Sequence, residues 1–256
     1  MSKKELTPTD VPVLERKKGL LRMMELLDRD GSKFFKSGVL ALLGAIPFFI
    51  AVLFALAWNS PTLLLLCVPT GMLAAPQIAG ASDTVMRSLR DEIGWWWWDT
   101  YKRAWKRNAT ACVLPGGVFG LLIGLNIYLL YFLSMLENPT QEFYMLFAAM
   151  LVGLSVTQFY LPMLVCMELP FGALLRNCFV LFFSHPVKSL LASFLQLCYY
   201  GIMLIWFPLT GVILVITSVW LPMLIAYVIL YPALDRHFDL TQVYEKLQQD
   251  QWGGSR

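Results

Sequence analysis

The stretch that decides the fold runs from Ser189 to Leu234 and reads SLLASFLQLCYYGIMLIWFPLTGVILVITSVWLPMLIAYVILYPAL. It contains no Lys, Arg, Asp, Glu or His, and the turn-forming sequence Pro208-Leu209-Thr210-Gly211 lies at its middle. The hydrocarbon core of a bilayer is about 30 Å thick, so one helical crossing requires about 20 apolar residues. The stretch is long enough to cross the bilayer and return, and we interpret it as a transmembrane hairpin.

Composition extends this interpretation to the whole chain. Hydrophobic residues make up 58% of the 256 residues and charged residues only 14%, whereas about 25% of a soluble domain is charged. A chain of this length cannot hide so much apolar surface in a core of its own. We therefore predict an all-α integral membrane protein with six transmembrane helices as three hairpins, in a membrane domain over residues 36–232. The spans are expected at about 38–58, 62–81, 111–136, 143–167, 189–208 and 211–232.

A short sequence repeat supports the three hairpins. Leu161-Pro162-Met163-Leu164 in the fourth span resembles Leu221-Pro222-Met223-Leu224 in the sixth, and Pro69 gives the second span a looser version. Each motif lies on the returning arm of its hairpin. A chance match between apolar sequences is the alternative explanation.

The distribution of charge predicts the orientation. The side of the membrane opposite to the termini carries only Glu137 and Glu142. All 20 Lys and Arg residues fall in the segments 1–38, 82–110, 168–188 and 232–256. Because basic residues concentrate on the cytoplasmic side, we expect a protein of the cell membrane with both termini in the cytoplasm.

Three segments outside the spans complete the domain organisation. Residues 1–18 are polar and contain two prolines, and we expect a disordered cytoplasmic tail. Residues 19–35 have apolar positions at helical spacing and predict an amphipathic helix, which lies on the membrane surface or packs against the protein itself. Residues 233–256 predict a cytoplasmic C-terminal helix and tail.

Two cytoplasmic connections predict short interfacial helices. In the first, Ser82 and Asp83 can cap a helix on which Arg87 and Asp91 pair at i,i+4. In the second, apolar residues recur on neighbouring turns over 173–183.

The first connection continues into a mixed aromatic and basic stretch. Its members are Trp95, Trp96, Trp97, Trp98, Tyr101, Lys102, Arg103, Trp105, Lys106 and Arg107. Tryptophan favours the headgroup level of a bilayer, and the neighbouring cations attract anionic headgroups. We predict a membrane-interface anchor in contact with anionic lipids, or a docking surface for a partner's cytoplasmic domain. We expect no nucleic-acid binding, because the segment is tied to the bilayer and acidic residues interrupt it.

The sequence contains few groups suited to chemistry. It has no Gly-rich phosphate loop with Lys, no His-Glu-x-x-His motif and no paired cysteines. The only histidines, His185 and His237, fall outside the spans. The predicted spans contain no acid or base, which disfavours an intramembrane proton relay. We expect a non-enzymatic protein without a cofactor or metal.

The polar residues within the predicted spans are uncharged. Asn126, Gln158 and Gln196 are predicted either to form hydrogen bonds between helices or to line a path for a solute. A separate feature of the third span is its row of glycines at i+4 spacing, Gly116, Gly120 and Gly124. Such a row suits close helix contact within the chain or dimerisation.

Several motifs together resemble a known family. They are Lys18-Gly19-Leu20-Leu21-Arg22, Phe34-Phe35-Lys36, Pro69-Thr70-Gly71, Arg87-Ser88-Leu89-Arg90 and the run from Tyr101 to Asn108. They resemble the YesL-like family of bacterial multi-pass membrane proteins, a family of unknown function, and the likeness is strongest up to about Asn126. The four consecutive tryptophans are richer than the family's usual aromatic pair.

The resemblance implies an association with solute uptake, since members are often encoded beside carbohydrate-uptake systems of the ABC type. It supplies no catalytic or ligand-binding residues. We therefore expect an accessory or regulatory component of solute (carbohydrate) uptake, with ABC-type transporter subunits as partners. The alternative is a self-sufficient transporter or permease for small solutes.

Overall fold

The chain is helical throughout the part that the computed structural model describes, which is residues 19–92, 96–138, 140–167, 169–207, 209–217 and 219–240. No strand occurs in these residues. A 3₁₀ helix at Pro61–Leu66 precedes α2. The α-helices are α1 (Gly19–Ala57), α2 (Cys67–Leu89), α3 (Trp97–Leu133), α4 (Thr140–Thr157), α5 (Tyr160–Cys166), α6 (Phe171–Ser184), α7 (Pro186–Ile205), α8 (Gly211–Thr217) and α9 (Trp220–Phe238).

The prediction of an all-helical membrane protein is confirmed at this level. Five segments are long and apolar enough to cross a bilayer, and α8 and α9 provide a sixth if they are counted as one span bent by 54°. The five are Gly19–Ala57, Pro61–Leu89, Trp97–Leu133, Thr140–Cys166 and Pro186–Ile205.

The first span and the predicted amphipathic helix 19–35 form one continuous helix, α1, so the predicted separation between them is wrong, and α1 also continues through Asp30-Gly31-Ser32. One buried stripe explains the continuity. Buried residues recur every three or four positions along α1, from its charged N-terminal half into its apolar C-terminal half. The members of the stripe are Arg22, Leu26, Asp30, Phe34, Ser37, Ala41, Ala45, Phe48, Val52 and Ala55.

The connection from the second to the third span contains no separate interfacial helix. Ser82 and Asp83 lie inside α2, which continues to Leu89, so they do not cap a new helix. On the other side of the connection, the aromatic and basic residues from Trp97 onward belong to the first turns of α3. The second and third spans therefore extend beyond their predicted ends on this side.

The fourth and sixth spans are interrupted, as the repeat suggested. A turn at Gln158 and Phe159 separates α4 from α5, and the bend separates α8 from α9. Pro162 and Pro222 are the third residues of α5 and α9, and Pro69 is likewise the third residue of α2 after the 3₁₀ helix. Proline is tolerated in a first turn because the N–H it lacks has no intrahelical acceptor there. All three motifs therefore occupy equivalent structural positions.

The predicted connection 173–183 forms α6, a helix of 14 residues. Leu174, Cys178 and Leu181 are buried on one side of it, whereas Phe179 and Phe183 on the other side are exposed. The predicted tail 1–18 and the C-terminal segment beyond Leu240 lie outside the described residues. Helix α9 itself ends at Phe238, followed by Asp239 in a left-handed conformation with φ of 46°.

Two apolar clusters hold the helices together. The larger joins α5, α6 and α9 to the end of α2 and to Leu26 and Phe34 of α1. The smaller lies further along α1 and joins Phe48 and Val52 to Cys67 of α2 and Tyr128 of α3. Both clusters include residues of α1 and α2, so these two helices connect the charged end of the molecule to its apolar end.

Candidate functional site

The charged side chains of the described residues concentrate at one end of the helices. We call this region the charged layer and define it as residues 19–37 of α1, 82–92 at the end of α2, and 97–108 at the start of α3. It contains every salt bridge described in this section, and most predicted interface residues.

Two arginines of α1 hold the end of α2. Arg22 Nη2 lies 2.6 and 2.7 Å from the two carboxylate oxygens of Asp91, and Arg29 Nη1 lies 2.6 Å from one of them. Arg29 Nη2 also donates to the carbonyl of Ser88 at 2.7 Å, and Arg22 Nη2 donates to the carbonyl of Leu89 at 3.4 Å. The last carbonyls of a helix have no intrahelical donor and carry partial negative charge, so cations stabilise them. We call Arg22, Arg29 and Asp91 the arginine clasp.

The clasp favours the ionised form of its carboxylate. Partial burial alone would raise the pKa of Asp91, but hydrogen bonds from Arg22 and Arg29 and the charges of both outweigh it and lower the pKa below the usual 3.8. Asp91 follows α2 with a positive φ of 61°, a conformation that Asp tolerates better than most residues. This backbone geometry turns Asp91 away from the α2 surface and towards α1.

The predicted i,i+4 pair of Arg87 with Asp91 is therefore wrong. Helix α2 ends before Asp91, and Arg87 Nε instead donates to Asp83 Oδ2 at 2.7 Å, one turn earlier. Arg87 also pairs with Glu92, which accepts a second ion pair from Arg90 at 2.8 Å. Asp83 is 1% exposed, and a buried carboxylate is stable only when it is paired.

Arg107 belongs to the same network of ion pairs around Asp83. Its basic neighbours on α3 do not. The Nη2 of Arg107 lies 3.5 Å from Asp83 Oδ1 and donates to the carbonyl of Val165, near the end of α5, at 2.9 Å. It therefore ties α3 to both α2 and α5. The side chain is partly exposed, but its head group is already paired within the protein.

The remaining aromatic and basic side chains face outward. The recess of about 500 Å³ at the start of α3 is lined by Asp99, Lys102, Arg103 and Lys106. Lys102 Nζ lies 4.7 Å from the centre of the Trp98 ring, a cation–π distance. Two further predicted residues, Trp96 and Trp105, are exposed, while Trp95 lies outside the described residues.

Tyr101 and Trp97 anchor this exposed face to the protein. Tyr101 is buried and donates its hydroxyl to the carbonyl of Gln77 at 3.3 Å. Its ring is parallel to that of Trp98, with 6.5 Å between centroids, and it also contacts Trp97. Lys36 of α1 lies 5.7 Å above the Trp97 ring. The predicted residues thus divide into a pair packed against the protein, with Tyr101 buried and Trp97 half-buried, and an exposed group.

Each of the three intramembrane polar residues donates to a backbone carbonyl. Asn126 Nδ2 donates to Leu122 of its own helix at 2.7 Å. Gln158 Nε2 donates to Ser189 of α7 at 2.8 Å, and Gln196 Nε2 donates to Pro222 of α9 at 3.1 Å. The two glutamines therefore connect helices. The buried Oε1 of Gln158 has no hydrogen-bond partner among the described residues.

The glycine row of α3 packs against α2. A Cβ on Gly116 would lie 2.5 Å from the Ala75 Cβ, and one on Gly120 would lie 2.6 Å from the carbonyl oxygen of Cys67. A Cβ on Gly124 would lie 2.7 Å from the Cys67 sulfur. Gly71 of α2 completes the seam from the other side. The glycines therefore allow backbone approach of α2 and α3 within one chain.

The two histidines contact each other, which sequence reasoning missed because 51 positions intervene. The rings of His185, between α6 and α7, and His237, in the last turn of α9, meet edge to face with 5.3 Å between centroids. Partial burial, then the nearby His237, Lys188 and Arg236, lower the pKa of His185 below 6.5. In the described part of the chain, no three His, Cys, Asp or Glu side chains are grouped as metal ligands.

The arginine clasp was also absent from the sequence prediction. Asp91 is more than sixty residues away from either arginine. The sequence signal that could have found the clasp is the placement of Arg22 on the buried stripe of α1. Comparison with known proteins adds no relative: no protein-family profile, no curated protein and no solved structure matches the chain.

Proposed function

We propose that this chain is a non-enzymatic multi-pass protein of the bacterial cell membrane that acts as an accessory or regulatory component of solute uptake. In this proposal three hairpins enter from the cytoplasmic side, and both termini are cytoplasmic. The strictly one-sided distribution of Lys and Arg supports this orientation. The charged layer and α6 then face the cytoplasm.

The accessory role is supported mainly by the hydrogen bonds that the polar side chains of the spans form. Asn126, Gln158 and Gln196 each donate to a backbone carbonyl, as expected of groups that stabilise helix packing. By contrast, both recesses described lie outside the centre of the helix bundle, one at the start of α3 and one of about 740 Å³ along α6. Surfaces of this kind favour contact with other molecules over passage of a solute.

Helix α6 is the best candidate for the contact with a partner protein. Its recess is lined by Leu175, Phe179, Val180 and Phe183 with Arg176 at one end, and Phe183 is 74% exposed. An apolar helical face with a flanking cation fits the groove of a partner or the membrane surface. The resemblance to the YesL-like family supports ABC-type carbohydrate transporter subunits as the partners.

The accessory role is tested by purifying the tagged protein from its own host in native lipid and identifying bound proteins by mass spectrometry. We expect transporter subunits in stoichiometric amounts, and their loss in a Phe179→Ser/Phe183→Ser variant. A matched control is Leu20→Ser/Leu21→Ser, which changes two exposed apolar residues at the start of α1, outside the predicted spans. Recovery of the chain without protein partners would contradict the accessory role.

One observation favours the second candidate, a self-sufficient transporter. The returning arms of the second and third hairpins, the fourth and sixth spans, are interrupted just before a proline, and in the second span a 3₁₀ helix changes to α2 just before one; interruptions at matching positions mark substrate sites in some transporters. The unpartnered oxygen of Gln158 lies at one of these interruptions. A combined Asn126→Leu/Gln158→Leu/Gln196→Leu variant separates the candidates: loss of uptake with normal expression and unchanged partner recovery would support a transport path.

A further inference from the structure

Six of the ten basic residues of the charged layer form ion pairs within the protein, Lys33 with Asp30 among them, and Lys36 lies over the Trp97 ring. Arg22, Arg29, Arg87, Arg90 and Arg107 are all ion-paired with carboxylates. In contrast, Lys102, Arg103 and Lys106 form no ion pair with any residue that the structure describes. These three cations, which we call the α3 basic face, are available to an anion from outside the chain.

The geometry concentrates their charge. Positions 102 and 106 are one turn apart on α3 and position 103 is adjacent, so the three side chains border one recess of about 500 Å³. The recess contains a single carboxylate, that of Asp99. An anion bound there would relieve the repulsion among the three cations.

Tryptophans beside the α3 basic face define the environment of that anion. The exposed Trp98 contacts Lys102 and is supported from beneath by the buried Tyr101. Trp105 is also exposed, one turn beyond Tyr101. Indole rings are favoured at the headgroup level because they combine a large apolar surface with an N–H donor.

The length of α3 places the basic face at the same level. Its 37 residues extend about 55 Å, well beyond the roughly 30 Å of a hydrocarbon core. The charge-free part begins at Asn108, directly after the cations. The α3 basic face therefore lies in the first turns outside the hydrocarbon, where lipid phosphates are found.

We propose that the α3 basic face binds the headgroup phosphate of an anionic phospholipid of the cytoplasmic leaflet. Lys102, Arg103 and Lys106 neutralise the phosphate, and Trp98 and Trp105 contact the glycerol region beneath it. This inference rests on the membrane orientation in the proposed function but not on the accessory role.

The test measures lipid selectivity of the purified full-length protein by native mass spectrometry, with phosphatidylglycerol and phosphatidylcholine as probes. We expect the wild-type protein to prefer phosphatidylglycerol. A Lys102→Gln/Arg103→Gln/Lys106→Gln variant should lose that preference by up to about 100-fold, from roughly fivefold per cation. The control removes two charges from exposed positions outside both recesses, Lys188→Gln/Arg236→Gln, and should retain most of the preference that the equally charged Lys102→Gln/Lys106→Gln variant loses.

Three outcomes would overturn the proposal. The first is an unchanged preference in the basic-face variant, and the second is an equal loss in the control, which would indicate a response to net charge. The third is displacement of the lipid by soluble glycerol phosphate at similar concentration, which would indicate a site for free phosphates. If the basic-face variant loses a protein partner while its lipid selectivity is unchanged, the first outcome applies. The three cations would then belong to a contact with a protein. Because selectivity is measured on the purified chain, the result is independent of partner recovery from cells.

Discussion

Among the described glycines, Gly71 of α2 makes the closest approach to the backbone of another helix, which allows a quantitative prediction. A Cβ at this position would lie 2.4 Å from the carbonyl oxygen of Gly116 and 3.0 Å from the Cα of Gly120. Ordinary Cβ contacts begin at about 3.4 Å, and both neighbours are backbone atoms that cannot rotate away. In a Gly71→Ala variant, α2 and α3 must therefore separate by about 1 Å at this point.

The expected cost follows from the packing loss. Forcing an extra group into a close-packed interface costs about 1–3 kcal/mol, whereas Gly→Ala in a helix contributes about 0.5–1 kcal/mol of stability. The net destabilisation is about 1–2 kcal/mol, which for a chain of this size corresponds to a fall in Tm of about 2–8 °C. Thermal unfolding in detergent micelles, followed by the loss of the monodisperse peak in size-exclusion chromatography, measures this shift.

Glycines with open surroundings provide the control. A Cβ on Gly153 of α4 would meet nothing within 4 Å, so Gly153→Ala should show only the helix-propensity gain and raise Tm by about 1–4 °C. Gly124→Ala should fall between the two variants, because its obstacle is the Cys67 sulfur, which belongs to a side chain. Equal melting temperatures for Gly71→Ala and Gly153→Ala would refute backbone contact between α2 and α3.

The polar contacts of the charged layer lead to further predictions. Asp91→Asn should destabilise the protein by about 2 kcal/mol, because it removes the charge that Arg22 and Arg29 share; an unchanged Tm at pH 7 would contradict the clasp. Since the pKa of Asp91 is lowered on folding, its contribution is present above about pH 4 and is lost as the pH falls through the folded value, so Tm should decline more steeply below pH 4 in the wild type than in Asp91→Asn. Tyr227→Phe should cost about 1–2 kcal/mol, because it leaves the buried Ser82 hydroxyl, 2.9 Å away, without its partner. The double variant Ser82→Ala/Tyr227→Phe should recover most of that loss, and a double variant no better than the single one would argue against the bond.

The helical membrane fold could be predicted from sequence because its signal is local. Hydrophobic runs of sufficient length identify the spans without any knowledge of their neighbours. Helix boundaries were harder to predict. The pattern Asp30-Gly31-Ser32 is typical of a loop, yet α1 continues through it because Asp30 is buried against the rest of the protein and paired with Lys33 at 2.8 Å. The burial of Asp30 is a tertiary effect, and it reverses the local preference.

The candidate site was predicted in composition but not in arrangement. The aromatic and basic stretch was identifiable because ten of its members lie within thirteen positions, 95–107. The division of this stretch into paired and exposed residues could not be predicted. Arg107 is distinguished from Lys106 by its contacts with Asp83 and the Val165 carbonyl, and both of these belong to other helices. The same limit applies to Asp91, whose partner changed once the end of α2 and its positive φ were known.

The distribution of contacts limits where the protein can change shape. The first three helices form a single unit, because glycines bring α2 and α3 into backbone contact and the arginine clasp fastens α1 to the end of α2. On the other side of the molecule, α4 is separated from α5, and α8 from α9, by breaks. The larger apolar cluster packs α5, α6 and α9 against α1 and α2, whereas α4 buries only Ser155 and Val156 and α8 buries no residue. Because close-packed helices resist separation, a motion that accompanies docking or uptake is expected in α4 and α8, at the breaks, relative to the other helices.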